Sequence, residues 1–305
     1  MDRRKFVTAT GSALALMGAG RGLAQEKDQG GAQGEGKSEP FKVLFAPASR
    51  HYGDGNVNQY IDGIKRAYDD GFRAWEENWL GRRSPEDQEK IGQALRDLGM
   101  TMGVSVVTTG GGANFWDPSE EEKNNILNDC KKAVEMAKRV GHKWFTLIPG
   151  ARDESGNFDE QMRGAADMLK RCSDIFDEAD LVYVLEPLSH PTGGKPVLLR
   201  TFKDGYNLCK LVERPSCKLL ADYFHQQQVG GDLIKNTDEC WDEIAYIQYG
   251  DVPGRNQPGT GEINHVNLTK HIRDKGYQGV YGLEHGIQGN VADLVRSYRE
   301  IDAAL

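Results

Sequence analysis

Several signatures of common ligand-binding and membrane proteins are missing or sparse. Five cysteines stand in 305 residues, Cys130, Cys172, Cys209, Cys217 and Cys240, and none is paired at a C-x-x-C or finger spacing. That pattern excludes a zinc-finger scaffold and reads as buried free thiols. Histidine is scarce, with seven in all, and the net charge is −8. A nucleic-acid partner would want a basic surplus, so that class is excluded. The first predicted strand is followed by Ala46-Pro47-Ala48-Ser49-Arg50 instead of a G-x-G-x-x-G turn, and Gly110-Gly111-Gly112 comes without a P-loop lysine. Dinucleotide and P-loop phosphate sites lose their signal with those residues. Beyond the leader described next, no membrane segment is expected.

The amino terminus carries a segment outside the fold. Asp2-Arg3-Arg4-Lys5-Phe6-Val7 is a twin-arginine motif, an apolar run continues to Met17, and Gly22-Leu23-Ala24 precedes Gln25 as a small-residue cleavage signal. Residues 1–25 thus resemble a Tat-type signal peptide, whose run is too short to span a bilayer. Export to the periplasm is expected, with no membrane association after cleavage. Residues 26–40 are rich in Gly, Gln, Glu and Lys and read as a flexible linker.

Residues 41–305 alternate between short β-rich runs and helical patterns. Strands are predicted at 42–47, 72–76, 102–108, 144–149, 181–186, 218–222, 244–248 and 279–284. Helices are predicted at 56–70, from Ser84, from Asp117 to 140, and at 158–179, 198–212, 232–236, 265–275 and 291–305. Ser84-Pro85-Glu86-Asp87 is a helix start with a capping serine, a first-turn proline and following acids. Strands alternating with helices require a parallel sheet. Eight such units fit a single-domain α/β fold, the (β/α)₈ TIM barrel, with an open doubly wound sheet as the weaker alternative.

In such a barrel, ligands sit at the carboxyl ends of the strands. The last four predicted strands each end on an oxygen-bearing side chain: Glu186, Asp222, Gln248 and Glu284. Carboxylates converging in one low-dielectric mouth repel each other, and a cation resolves the conflict. Carboxylates and an amide oxygen are hard ligands, suited to Mg²⁺ or Mn²⁺ before Zn²⁺. The loop after the seventh strand, residues 249–264, holds two prolines, four glycines and Arg255, and Asn264 caps the helix behind it.

Leu185-Glu186-Pro187, Asp222-x-x-His225, the Pro253-Gly254-Arg255…Pro258-Gly259-Thr260-Gly261-Glu262-Ile263-Asn264 loop and Leu283-Glu284-His285 resemble the xylose isomerase-like TIM barrels. Phe72 to Asn78 is similar to the hydroxypyruvate isomerase branch of that family. The resemblance spans residues 41–305. It implies a divalent metal on Glu186, Asp222, Gln248 and Glu284, with Glu186 and Glu284 also the acid/base pair. It implies that His225 and Arg255 contact substrate. Ser189 stands where the family often has Asn, and His190 reads as a loop-surface residue. Glu76 is a candidate for a substrate hydrogen bond, with packing as its alternative. Trp75, Trp79, Phe115 and Trp116 are candidates for an apolar wall, with a core role as the default. Glu262 reads as a loop brace.

The implied chemistry is isomerisation or epimerisation of a small keto-sugar or hydroxy-keto acid through an enediolate, with glutamates moving the proton. An exported enzyme would meet unphosphorylated substrates. Enolisation beside a leaving group would instead give β-elimination on a 3-keto-glycoside, and a non-catalytic sugar-binding barrel is the other alternative. A repair nuclease on this fold would need more histidines and a basic groove. A homo-oligomer is compatible with this reading.

Overall fold

The computed structural model describes residues 37–108 and 114–305. The leader, most of the linker and the Gly110-Gly111-Gly112 run lie outside the described residues. Nine strands are seen: β1 (Leu44–Ala46), β2 (Ala74–Trp75), β3 (Thr101–Met102), β4 (Val106–Thr108), β5 (Trp144–Leu147), β6 (Val182–Leu185), β7 (Cys217–Asp222), β8 (Ile244–Tyr249) and β9 (Val280–Leu283). The helices are α1 (Ser49–Tyr52), α2 (Val57–Asp69), α3 (Pro85–Leu98), α4 (Glu120–Val140), α5 (Phe158–Glu178), α6 (Phe202–Val212), α7 (Tyr223–Val229), α8 (Leu233–Cys240), α9 (His265–Asp274) and α10 (Val291–Ala304).

Every strand pair is parallel. Seven strands run in the order β1-β9-β8-β7-β6-β5-β4, and β2 pairs with β3. Backbone bonds carry the ring across the remaining gap. Glu76 N–H donates to Pro47 O at 2.9 Å, and Val106 N–H to Asn78 O at 3.0 Å. The fold is therefore the expected TIM barrel.

The predicted third strand is broken in two. Val104 N–H donates to the Tyr246 hydroxyl at 3.3 Å, so that amide leaves the ladder. Gly103 sits against the same hydroxyl, where a Cβ would collide with it. The barrel interior is a small apolar layer of Ala46, Ala74, Val104, Val184, Leu220, Tyr246 and Val280. A larger core fills the space between strands and helices, and all five cysteines are buried as free thiols there or beside it.

Helix ends follow local chemistry. The Ser84 side chain caps α3 by accepting from Asp87 N–H, and Gly99 closes it in the left-handed region at φ 65°. α6 starts at Phe202, four residues later than predicted, because Thr201 and Asp204 form a capping box there. α1 and α7 are short helices beyond those predicted, and both lie at the carboxyl ends of strands. Among the described residues no helix is long and apolar enough to cross a membrane.

Candidate active site

Alternation along the strands decides which side chains face the barrel axis. On β8, Tyr246 and Gln248 point inward, and on β7 Leu220 and Asp222 do so. Asp222 is in register with Gln248, and Gln248 with Gly282. Glu186 and Glu284 stand just past β6 and β9 at the same rim.

Asp222 is both the end of β7 and the N-cap of α7, accepting from Phe224 N–H at 2.8 Å. One helical turn then returns His225 to it, with Nε2 3.5 Å from Asp222 Oδ2 and 3.8 Å from Glu186 Oε1. Glu186, Asp222 and His225 each offer a ligand atom, and these atoms lie within 4.8 Å of one another. All three residues are buried.

Arg255 enters from the β8–α9 loop at a left-handed φ of 48°. Its Nη2 donates to Asp222 Oδ2 at 2.7 Å and to Glu284 Oε2 at 3.0 Å, and its Nε donates to Glu284 O at 2.9 Å. Asn78 Nδ2 holds the other Glu284 oxygen at 2.7 Å. Glu284 is thus fixed by two donors, whereas the Glu186 side chain makes no hydrogen bond among the described residues.

Burial dominates the electrostatics. It pushes Glu186 well above the usual carboxylate range, and the charges of Glu284 and Asp222 add to that. Burial also raises Asp222, against the pull of Arg255. His225 falls to about 3, first through burial and then through the Arg255 charge, so its ring is neutral. Around the ring, Ser189 N–H donates to Nδ1 at 3.2 Å, Ser189 Oγ lies 2.9 Å from Nδ1 and donates to Gln228 Oε1 at 2.5 Å, and Arg255 Nη1 lies 3.2 Å from Nε2.

Residues 64–301 match the xylose isomerase-like TIM barrel family. The chain belongs to that family. A hydroxypyruvate isomerase of Escherichia coli K12 is 27% identical over 179 residues, 55% of this chain and 64% of that protein. A 2-oxo-tetronate isomerase of Pectobacterium atrosepticum is 25% identical over 240 residues, 77% of this chain and 89% of that one. In shape, the barrel is similar to the apo crystal structure of the E. coli 3-keto-D-glucoside 4-epimerase YcjR. The TM-score is 0.71 at 18% identity, covering 86% of this chain and all of that one (100%).

Within this xylose isomerase-like barrel, the expected site residues fall in two layers. Glu186, Asp222, His225, Arg255 and Glu284 meet at the rim. Gln248 and Glu76 lie beneath. Gln248 Nε2 donates to Glu76 Oε1 at 3.0 Å, and the Tyr246 hydroxyl donates to Glu76 Oε2 at 2.8 Å. Both Glu76 oxygens are therefore taken by protein, and the residue is 1% exposed. Burial first, and then the Glu284 charge, push Glu76 up to about 8 against those two donors. Gly282 gives Glu76 its room, since a Cβ there would collide with the carboxylate.

Three supports carry no catalytic signature of their own in the sequence. Asp251 is 1% exposed and its carboxylate accepts from four loop amides, Val252 (2.9 Å), Gly259 (3.0 Å), Gly261 (2.8 Å) and Ile263 (3.0 Å). Its backbone also bonds Arg255 N–H at 2.8 Å, so it sets the arginine's loop. His285 anchors the strand end behind Glu284 through Nε2 and the Tyr298 hydroxyl, 2.8 Å apart. Tyr246 could have been found, because two-residue alternation puts it on the face of Gln248. Trp75 and Phe115 are fully buried core residues, whereas Trp79 is 43% exposed at the mouth. His190 is exposed, with its ring 5.1 Å from that of His225. Glu262 accepts from Gln227 Nε2 at 3.0 Å, which fits a brace.

Proposed function

We propose that the protein is a divalent-metal-dependent isomerase or epimerase of a small hydroxy-keto acid or keto-sugar. The observation that carries this reading is the convergence of Glu186, Asp222 and His225 beside Glu284 and Arg255 in a buried barrel mouth. The names of the sequence relatives support it.

The donor set fits a metal. Gln248 is held by its amide nitrogen, and its buried Oε1 has no partner among the described residues. That is an orphaned hard donor directly beside Asp222 in register. Glu186, Asp222 and Glu284 add carboxylate oxygens, and His225 adds a ring nitrogen that now faces Arg255 Nη1 at 3.2 Å. An imidazole in the set favours Mn²⁺ over Mg²⁺. When bound, the metal would polarise the substrate carbonyl and its neighbouring hydroxyl, lowering the barrier to enolisation.

The chain's own groups do the rest. The two glutamates differ in their surroundings. Glu284 is held in place by Asn78 and Arg255. Glu186, unheld and desolvated, is the freer of the two to exchange a proton. One removes a C–H proton next to the carbonyl to give the enediolate, and a proton is returned to the neighbouring carbon for isomerisation or to the opposite face for epimerisation. Arg255 lines the place where substrate oxygens change charge. Burial of the site excludes water that would quench the enediolate.

Proton NMR in D₂O with Mn²⁺ and hydroxypyruvate tests the reading. Deuterium is expected to enter beside the carbonyl, to stop with EDTA, and to slow by about two to four orders of magnitude in Glu284→Gln. Exchange that ignores both EDTA and Glu284→Gln would reject it. The twin-arginine leader supports export, so the substrate would be met outside the cytoplasm. Cell fractionation with Arg3 and Arg4 replaced by lysine checks that, since a periplasmic fraction unchanged by the replacement would refute it.

A further inference from the structure

Beside the site lies a cleft of about 680 Å³ that shares Glu284 and Asn78 with it. Its rim carries three arginines: Arg50 at the start of α1, and Arg82 and Arg83 after β2. Their surroundings differ. Arg83 donates to Gly55 O at 3.1 Å and is paired with Asp54, so it is occupied. Arg82 Cζ lies 4.0 Å from the Trp79 ring centroid, and neither Arg82 nor Arg50 has a carboxylate partner among the described residues. The remaining acids of the cleft are satisfied. Glu77 accepts from the Ser49 hydroxyl, and Glu284 accepts from Asn78 and Arg255.

Two unpaired guanidiniums at the edge of an acidic site have a consequence for substrate choice. The rim acids Asp222 and Glu284 would repel a substrate carboxylate placed beside them. The protein's net charge of −8 adds to that at long range. A substrate carboxylate is favoured on a side that carries positive charge without a carboxylate partner, and this cleft is such a side. A neutral sugar has no use for it. Guanidinium is also the group best shaped to take a carboxylate with two parallel hydrogen bonds.

We propose that Arg50 and Arg82 form a carboxylate clamp that selects hydroxy-keto acids over neutral ketoses, with the Trp79 indole as the surface against which Arg82 rests. This rests on the isomerase reading for its substrate, but the clamp itself is a binding site that can be measured without turnover.

Glycerate, which has the carboxylate and hydroxyls of a three-carbon acid and no carbonyl to enolise, is the probe. Its binding to the Mn²⁺-loaded protein is followed by calorimetry for the wild type, Arg50→Gln, Arg82→Gln and the double variant. Each loss of a charge-assisted contact is expected to weaken glycerate about tenfold or more. Arg50→Lys should recover part of the loss, and the KM for hydroxypyruvate should rise in step with little change in kcat. Raising the salt concentration should weaken glycerate in the wild type and much less in the double variant. If the double variant binds glycerate as tightly as the wild type, the clamp is wrong and the isomerase reading stands. If glycerate binding depends on the arginines but no keto acid exchanges deuterium, the clamp stands and the isomerase reading falls.

Discussion

Glu76 reads in sequence as a candidate for a substrate hydrogen bond or for packing, because it ends the second predicted strand. In the fold both of its oxygens accept from protein donors. It accepts the Gln248 amide N–H, which leaves the buried Gln248 Oε1 without a partner among the described residues. Groups of this kind, one step behind a ligand, commonly change metal affinity about 10- to 100-fold. Glu76→Gln puts an amide where two donors now point, which favours a flipped Gln248 with nitrogen toward the site. The expected outcome is weaker Mn²⁺ binding by about that factor in a calorimetric titration, at an unchanged melting temperature. Equal Mn²⁺ affinity would mean that Glu76 does not orient the amide. The positions of Glu186, Asp222, Gln248 and Glu284 at strand ends were legible in the sequence. The pairing of Glu76 with Tyr246 was not, because it joins side chains 170 positions apart.

At the scale of elements, the β8–α9 loop is the part on which the site depends most. Its glycines and prolines announce a turn-rich loop, yet the loop's shape comes from Asp251. Four backbone N–H groups converge on one buried carboxylate, two on each oxygen. Gly261 packs so close to Val252 O that any side chain there would collide with it. Asp251→Ala leaves those donors without an acceptor, and each buried unsatisfied group costs about 1–3 kcal/mol. Chemical denaturation should therefore show a loss of about 3 kcal/mol or more, together with lower kcat/KM as Arg255 loses its anchor. Asp251→Asn keeps one acceptor oxygen and should fall between. A loop that tolerated Asp251→Ala within 1 kcal/mol, a threshold of about one net hydrogen bond, would count against this account. α7 teaches a related lesson. The sequence reads Asp222 to His225 as a strand end, but the capping bond of Asp222 starts a helix, and only that turn brings His225 back over the carboxylates.

Over the whole molecule, buried neutral histidines set the response to acid. Burial lowers His51 to about 4, His142 to about 3, His225 to about 3 and His265 to about 4. In the unfolded chain each titrates near 6.5, so the unfolded state takes up protons that the fold refuses. Stability from these groups is present above that value and is lost as pH falls through the window from 6.5 toward 4. At pH 5 a fully buried one such as His142 costs about 2 kcal/mol relative to neutral solution. Glu76 works in the opposite direction. Its raised value means that its contribution is whole below its unfolded value and fades as pH rises through about 8. The melting temperature should thus drop between pH 7 and 5, with net proton uptake on unfolding, and His142→Gln should soften that drop. A His142→Gln variant whose melting temperature fell between pH 7 and 5 as steeply as the wild type's would contradict the neutral-histidine assignment.

The sequence by itself determined the barrel, the order of its units and the strand ends that bear oxygen. Those follow from hydrophobic period, capping residues and turn residues, all of which act over a few positions along the chain. Only the tertiary structure decided the break of the third strand at Tyr246, the burial of Glu76 under Gln248, the grip of Asp251 on its loop and the unpaired state of Arg50 and Arg82. Each of these depends on groups brought together by closure of the ring, where burial sets the strength of a charge and geometry decides which partner it meets.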